Sequence, residues 1–262
     1  MSPVSALGFL IALALTLVSP RAVAADDPYV ASLVAAAHAR HLSVEPEWLR
    51  LGHYRAGLFG GYESEADGTP FFVARNGKTD PDAELVATLR AFFLPPSPDP
   101  DVQQAICKFP ARFMWLDRAL HFDHTRLPRV NCRRLREFVQ ALDPASVTLV
   151  FSSYYLNNPA SSFGHTFLRI NKRGRYGAAH NDLLDAGVDY SATVDTSNAF
   201  LYAFKGLFGL FPGVFRRVPY YLKVREYNDF ESRDLWEYDL DLRPEELQMF
   251  VAHLWELGST YF

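Results

Sequence analysis

Cysteine is scarce in this chain, with two in 262 residues, and no run of basic residues occurs anywhere. The formal net charge is −4, so the electrostatic footprint of a nucleic-acid binder is missing and nucleic acid is set aside as a partner. Internal repeats are absent, which excludes a solenoid or propeller. The eight histidines, His38, His41, His121 and His124 among them, show no H-x-x-x-H or carboxylate companion at a ligand spacing. The pair His121-x-x-His124 reads as exposed near a helix end, so neither a metal nor a cofactor is expected. After the first twenty residues no apolar stretch approaches the roughly 20 residues that a membrane span needs.

What the chain has instead is apolar and aromatic bulk: 49% hydrophobic residues, 13 Tyr and 21 Phe. That composition fits a globular chain with a sizeable core, and it also suits an apolar substrate groove. Ala6–Val18 is an apolar run too short to cross a bilayer comfortably, and Ala22-Val23-Ala24 follows as a cleavage site of the A-x-A kind. Residues 1–24 therefore read as an export signal. No Lys or Arg precedes the run, which keeps an uncleaved anchor open, and no lipobox cysteine is present. In an exported chain the pair Cys107 and Cys132 is expected to form a disulfide, worth about 3–4 kcal/mol through loop entropy. The alternative, one of them as a thiol nucleophile, is weakened because neither lies beside a histidine or in a glycine-marked turn.

Helical spacing from Asp27 to His53 predicts two short helices, the second opening at Glu45-Pro46-Glu47. A strand is expected at Phe71–Arg75 with a turn at Asn76-Gly77, then a helix from Thr79-Asp80-Pro81 to about Phe93. The proline-rich 95–100 divides the chain into a helical region, 25–100, and a second region, 101–262. In the second, helices are predicted at Val102–Ile106, Ala111–Leu120 and Asn131–Leu142. Strands follow at Val147–Tyr154, Thr166–Ile170, Leu183–Tyr190, Tyr220–Tyr227 and Leu235–Leu242, with a last helix from Pro244 towards Leu257. The fold class is α+β: a helical N-terminal part, then an antiparallel sheet flanked by helices. The apolar, glycine-hinged segment 199–218, closed by Arg216-Arg217, admits two readings: a lipid-touching interfacial element, or a buried helix. The densely charged 223–241 reads as a solvated strand pair.

The stretch FSSYYLNNPASSFGHTFLRI, 151–170, carries the chemistry. A polar turn delivers His165 onto the first residues of a strand, a rigid seat for a general base. Ser161 and Ser162 could make a Ser-His site, but they share the turn with His165 and lack a G-x-S-x-G elbow; capping of the turn is the preferred reading. Asn157 and Asn158 could face an oxyanion, although Asn-Asn-Pro is first a turn. If the strand pairs with the next one through a hairpin centred near Tyr176, the partners of His165 number near 187. Asp185 and Asp189 flank that point, and either could orient the imidazole.

The blocks NNPASSFGHTFLRI, LYAFKGLFGLFPGVF, KVREYNDFESRDLWEYDL and HLWELGSTYF resemble the Lnb N-terminal periplasmic domain family, and the likeness runs upstream through EWLRLGHY, FFVARNGKTDPDAEL and CKFPARFMWL. The resemblance implies a circularly permuted papain-like thiol fold in the periplasm of a Gram-negative bacterium, at the inner membrane surface. It implies acyl transfer from a membrane phospholipid to a lipoprotein amine, with His165 as base. The nucleophile implied is a cysteine in an Asn-Cys-Ser segment past the Tyr261-Phe262 position, so the sequence is expected to be truncated short of its thiol. A non-enzymatic binding or scaffold domain and a cysteine-type hydrolase are the alternatives.

Overall fold

The computed structural model describes residues 27–99, 102–155, 164–174, 182–208, 210–230, 232–258 and 260–262, without the side chain of residue 229. The export signal and the turn residues Asn157, Asn158, Ser161 and Ser162 lie outside the described residues.

Two of the N-terminal helices begin at an aspartate cap. Asp27 accepts the Tyr29 N–H (2.8 Å) ahead of α1 (Pro28–Ala39), which buries Val30, Leu33 and Ala37 along one stripe. After α2 (Pro46–Leu51) comes a two-stranded hairpin, β1 (Tyr54–Ala56) with β2 (Tyr62–Ser64). Asp80 caps α3 (Pro81–Phe92) by accepting the Asp82 and Ala83 N–H groups. The strand expected at Phe71–Arg75 does not form. Thr69–Phe71 is a 3₁₀ turn, and the Val73 and Ala74 N–H groups donate to the buried Glu84 carboxylate instead of to a ladder. α4 (Ala105–Lys108) and α5 (Pro110–Leu120) complete a helical core built around Trp48, Leu85, Leu89, Phe92, Phe109 and Leu116.

The second region is a five-stranded antiparallel sheet in the order β6-β5-β4-β3-β7. Its strands are β3 (Pro144–Ser152), β4 (His165–Lys172), β5 (Ala186–Ala192), β6 (Gly213–Pro219) and β7 (Leu235–Leu240). Among the described residues, then, the α+β class and its order, helices before an antiparallel sheet, are those expected. One face of the sheet packs against α6 (Arg133–Leu142) and α9 (Pro244–Leu257) through Leu142, Ile170, Val188 and Val251. The other face packs Val150 and Phe167 against Tyr220 and Tyr227. Tyr220 opens α8 (Tyr220–Val224), and Tyr227 sits in the π-helical turn over Arg225–Phe230 that continues it. The strand expected at Tyr220–Tyr227 is therefore a helix. Its buried Tyr220, Lys223 and Tyr227 recur at three- and four-residue intervals, a helical stripe inside what looked like alternation.

Cys107 and Cys132 form the disulfide, tying α4 to the start of α6. A second tie joins the helical region to α9. Glu256, buried on α9, accepts the Ala111 and Arg112 N–H groups at 2.7 and 3.1 Å, capping α5 from a distant part of the chain. The Arg112 guanidinium lies 2.7 Å from Glu84 and 3.6 Å from Glu256, between the rings of Phe71 and Phe109. His53 and His253 meet beside this cluster, Nε2 to Nε2, at 3.1 Å. Burial first, then the charge of His253 and Arg112, pushes His53 down to about 4.

Candidate functional site

Gly164 sets the entrance to β4. Its φ is +89°, and an added Cβ would come within 2.6 Å of the Ser152 carbonyl oxygen and 2.7 Å of the Phe151 ring, so this turn admits only glycine without rearrangement. The next residue, His165, opens the strand opposite Ser152, the last residue of β3. Ser152 in turn faces Leu235 at the start of β7, and on the far side Ala192 of β5 faces Gly213 at the start of β6. All five strands thus bring one end to the edge of the sheet where His165 stands.

The His165 Nε2 lies 2.5 Å from Asp189 Oδ1. The two carboxylates that flanked the predicted pairing point have different fates. Asp189 reaches the imidazole, whereas Asp185 is buried at the opposite end of β5, accepting the Lys172 N–H at 2.9 Å and lying 3.7 Å from Arg169. The hairpin register also differs from expectation: Leu168 faces Val188, which centres the hairpin two residues later than Tyr176. A 3₁₀ turn at Asp182–Leu184 occupies the start of the expected third strand, so pairing begins only at Ala186. Carried along β4, this register sets His165 opposite Ser191 and makes Asp189 its diagonal neighbour on the same face.

Asp189 is shared. Its other oxygen, Oδ2, lies 2.8 Å from Lys223 Nζ, and Lys223 also contacts Glu226 (3.0 Å) and the Tyr227 hydroxyl (3.4 Å). Burial alone would raise the Asp189 carboxyl, but hydrogen bonds from His165 and Lys223 and the charge of both hold it below the usual range. Burial pushes the Tyr227 hydroxyl up to about 12, so it stays protonated at any physiological pH. The Tyr227 ring lies 6.1 Å from that of His165, and Phe167 stacks at 6.4 Å. A neutral His165 that donates its Nε2–H to Asp189 presents a lone pair at Nδ1, the arrangement of an oriented general base. Lys223 and Tyr227 were not expected here. The charged segment that reads as a solvated strand pair in fact buries Lys223 against Asp189, because the chain is helical at that point.

A cavity of about 400 Å³ lined by Asn228, Asp234, Leu235 and Trp236 opens at the same sheet edge. The apolar segment between β5 and β6 forms α7 (Ala199–Leu207), capped by Asn198, and none of its residues is buried. Phe200 is 78% exposed and Leu207 81%. The buried-helix reading of this segment is thereby overturned, since the helix projects from the sheet rather than packing on it. Both cysteines are consumed by the disulfide, so neither is a thiol nucleophile. Among the described residues no group of three or more His, Cys, Asp or Glu could hold a metal ion.

Fold and site together define an α+β domain with a histidine–aspartate pair at one sheet edge. Residues 134–262 match the Lnb N-terminal periplasmic domain, and this part of the chain belongs to that family. Residues 40–119 match a separate domain of unknown function (DUF7843), which takes in the upstream blocks EWLRLGHY, FFVARNGKTDPDAEL and CKFPARFMWL. No curated protein and no solved structure matches the chain. A periplasmic location accords with the family, and no described helix is long and apolar enough to cross a membrane.

Proposed function

We propose that this domain is the base-bearing part of a thiol acyltransferase working at the periplasmic face of the inner membrane. The observation that carries the reading is the His165–Asp189 pair, in which Asp189 holds Nε2 and, among the described residues, none is hydrogen-bonded to Nδ1. The nucleophile is a cysteine in chain following Phe262, as the family resemblance implies. Phe262 supports this by its position. It exchanges two backbone hydrogen bonds with Gly213 (2.6 and 2.8 Å), at the sheet edge that carries His165. Three strand spacings, roughly 14 Å, separate the two, a gap that five extended residues span.

In the proposed cycle His165 takes the thiol proton as sulfur attacks an ester carbonyl of a membrane phospholipid. The imidazolium then returns the proton to the departing lysophospholipid alkoxide, leaving an acyl-thioester. A lipoprotein amine attacks the thioester. Its proton passes to His165, the thiolate leaves, and the amide is released with the site restored. A phospholipid donor is supported by α7, whose exposed Phe200, Leu201, Phe204 and Leu207 project from the same sheet edge. No acidic residue interrupts 196–218, and Arg216 and Arg217 lie exposed at its end, suited to lipid phosphates.

Residues 25–262 alone are expected to release no lysophospholipid from vesicles and to acylate no amine. Fatty-acyl ester cleavage by that chain, lost on Ser161→Ala or Ser162→Ala, would overturn the thiol account. The same chain is expected to co-sediment with phosphatidylglycerol-containing vesicles, and a Phe200→Ser/Leu207→Ser variant to lose at least half of that binding, roughly the effect of removing two apolar anchors. Equal sedimentation of both proteins would remove α7 from the reading.

A further inference from the structure

The Asp189 carboxylate holds two donors, and only one of them belongs to the His-Asp pair. Lys223 Nζ reaches Oδ2 at 2.8 Å while the imidazole holds Oδ1, and the lysine side chain is only 10% exposed. Its path runs past Gly187, where a Cβ would already touch Lys223 Cγ at 3.6 Å. The π-helical turn that follows α8 gathers Glu226 and Tyr227 beside the same ammonium, and single π-turns of this kind recur at functional sites. A buried lysine costs desolvation energy unless its charge is used.

We infer that Lys223 is a positioning residue of the His165 site: it fixes the Asp189 carboxylate and offsets its charge, so that the imidazole is oriented without being driven to imidazolium. The inference rests on the reading of His165 as a base. An undivided aspartate beside a histidine favours the protonated ring, and a protonated ring cannot take a thiol proton. With Lys223 across the second oxygen, the Asp189–Lys223 pair is close to neutral towards the ring while the hydrogen bond to Nε2 persists. The other charged and titratable groups around it are Glu226 and Tyr227 on the helical turn, Arg233 stacked 4.8 Å over Tyr227, and Arg216, which faces Asp189 on β6 and donates to Thr193. None of them contacts Asp189 as Lys223 does.

The test is an NMR titration of the His165 ring in the whole chain, with its resonance assigned by loss in His165→Gln. Lys223→Met is expected to move the titration midpoint upward by about one pH unit, an opposite charge having been unmasked. Lys223→Arg should keep the midpoint close to that of the parent. Lys223→Gln keeps an N–H donor without charge on a side chain one atom shorter, and covers the case in which the methionine variant does not fold; it too should shift upward. A midpoint that stays put in the folded uncharged variants would overturn the inference and leave Lys223 a structural ion pair. The titration needs no thiol and no lipid. A moved midpoint, together with protein extended past Phe262 that forms no acyl adduct, would therefore refute the proposed function while preserving the role of Lys223; an adduct that depends on His165, together with an unmoved midpoint, would do the opposite.

Discussion

Arg112→Ala is expected to destabilise the protein by about 3–5 kcal/mol, the cost of stripping one partner from a buried ion cluster. For a chain of this size that corresponds to a fall in melting temperature of roughly 10 °C. The guanidinium is 1% exposed and bridges two carboxylates on separate helices, Glu84 of α3 and Glu256 of α9. Each carboxylate has structural duties of its own. Glu84 holds the Val73 and Ala74 N–H groups, and Glu256 caps α5. Removal of Arg112 leaves both charges buried without their cation and opens a void between Phe71 and Phe109.

The deficit should depend on pH with a definite sign. Burial raises the Glu84 carboxyl even with Arg112 in place, the guanidinium and backbone donors only partly opposing it. Without the arginine its folded-state pKa rises further above the unfolded value. The folded state then binds the proton more tightly, so stability returns as pH falls through that raised pKa. His53 acts in the same direction, because Arg112 is one of the charges pushing it down. Denaturant melts of the variant and the parent at pH 7 and at about pH 5 should show the gap narrowing in acid. A gap that is constant or widens would mean that Glu84 is not the group left unpaired.

Much of this arrangement was legible in the sequence. Helical spacing from Asp27 onward and the start signals Glu45-Pro46-Glu47 and Thr79-Asp80-Pro81 mark the N-terminal helices, since such signals act within one turn. His165 announced itself because a polar turn ran directly into an apolar strand. Asp189 was one of two acids left open, and only the register could separate it from Asp185. That register depended on where a 3₁₀ turn ended, which alternation does not encode. Lys223 and Tyr227 stayed hidden for a different reason. Tyr-Tyr-Leu-Lys-Val-Arg-Glu-Tyr satisfies a strand and a helix pattern over so short a span, and the neighbours that select the helix, Val150 and Phe167, are 53 residues or more away in the sequence. The buried Arg112 cluster likewise joins residues too far apart for any local pattern to reveal.

The second large effect concerns chemistry rather than stability. His165→Ala removes the proposed base while sparing the core: the ring sits at the strand end, half-buried, and the backbone pairing with Ser152 does not need its side chain. Asp189 retains Lys223, so no bare buried charge is created. The variant should therefore melt close to the parent yet lose acyl transfer by about 10³-fold, the scale of a general base, with more lost if the thiol also depends on the imidazole for ionisation. The most direct measurement is intact-mass analysis of protein extended past Phe262 through the proposed Asn-Cys-Ser segment, incubated with phospholipid vesicles. The account predicts a single acyl adduct that hydroxylamine removes, carried on that cysteine and scarcely formed by His165→Ala. An adduct that accumulates at the parental rate in His165→Ala, or that forms on Ser161 or Ser162, would contradict it.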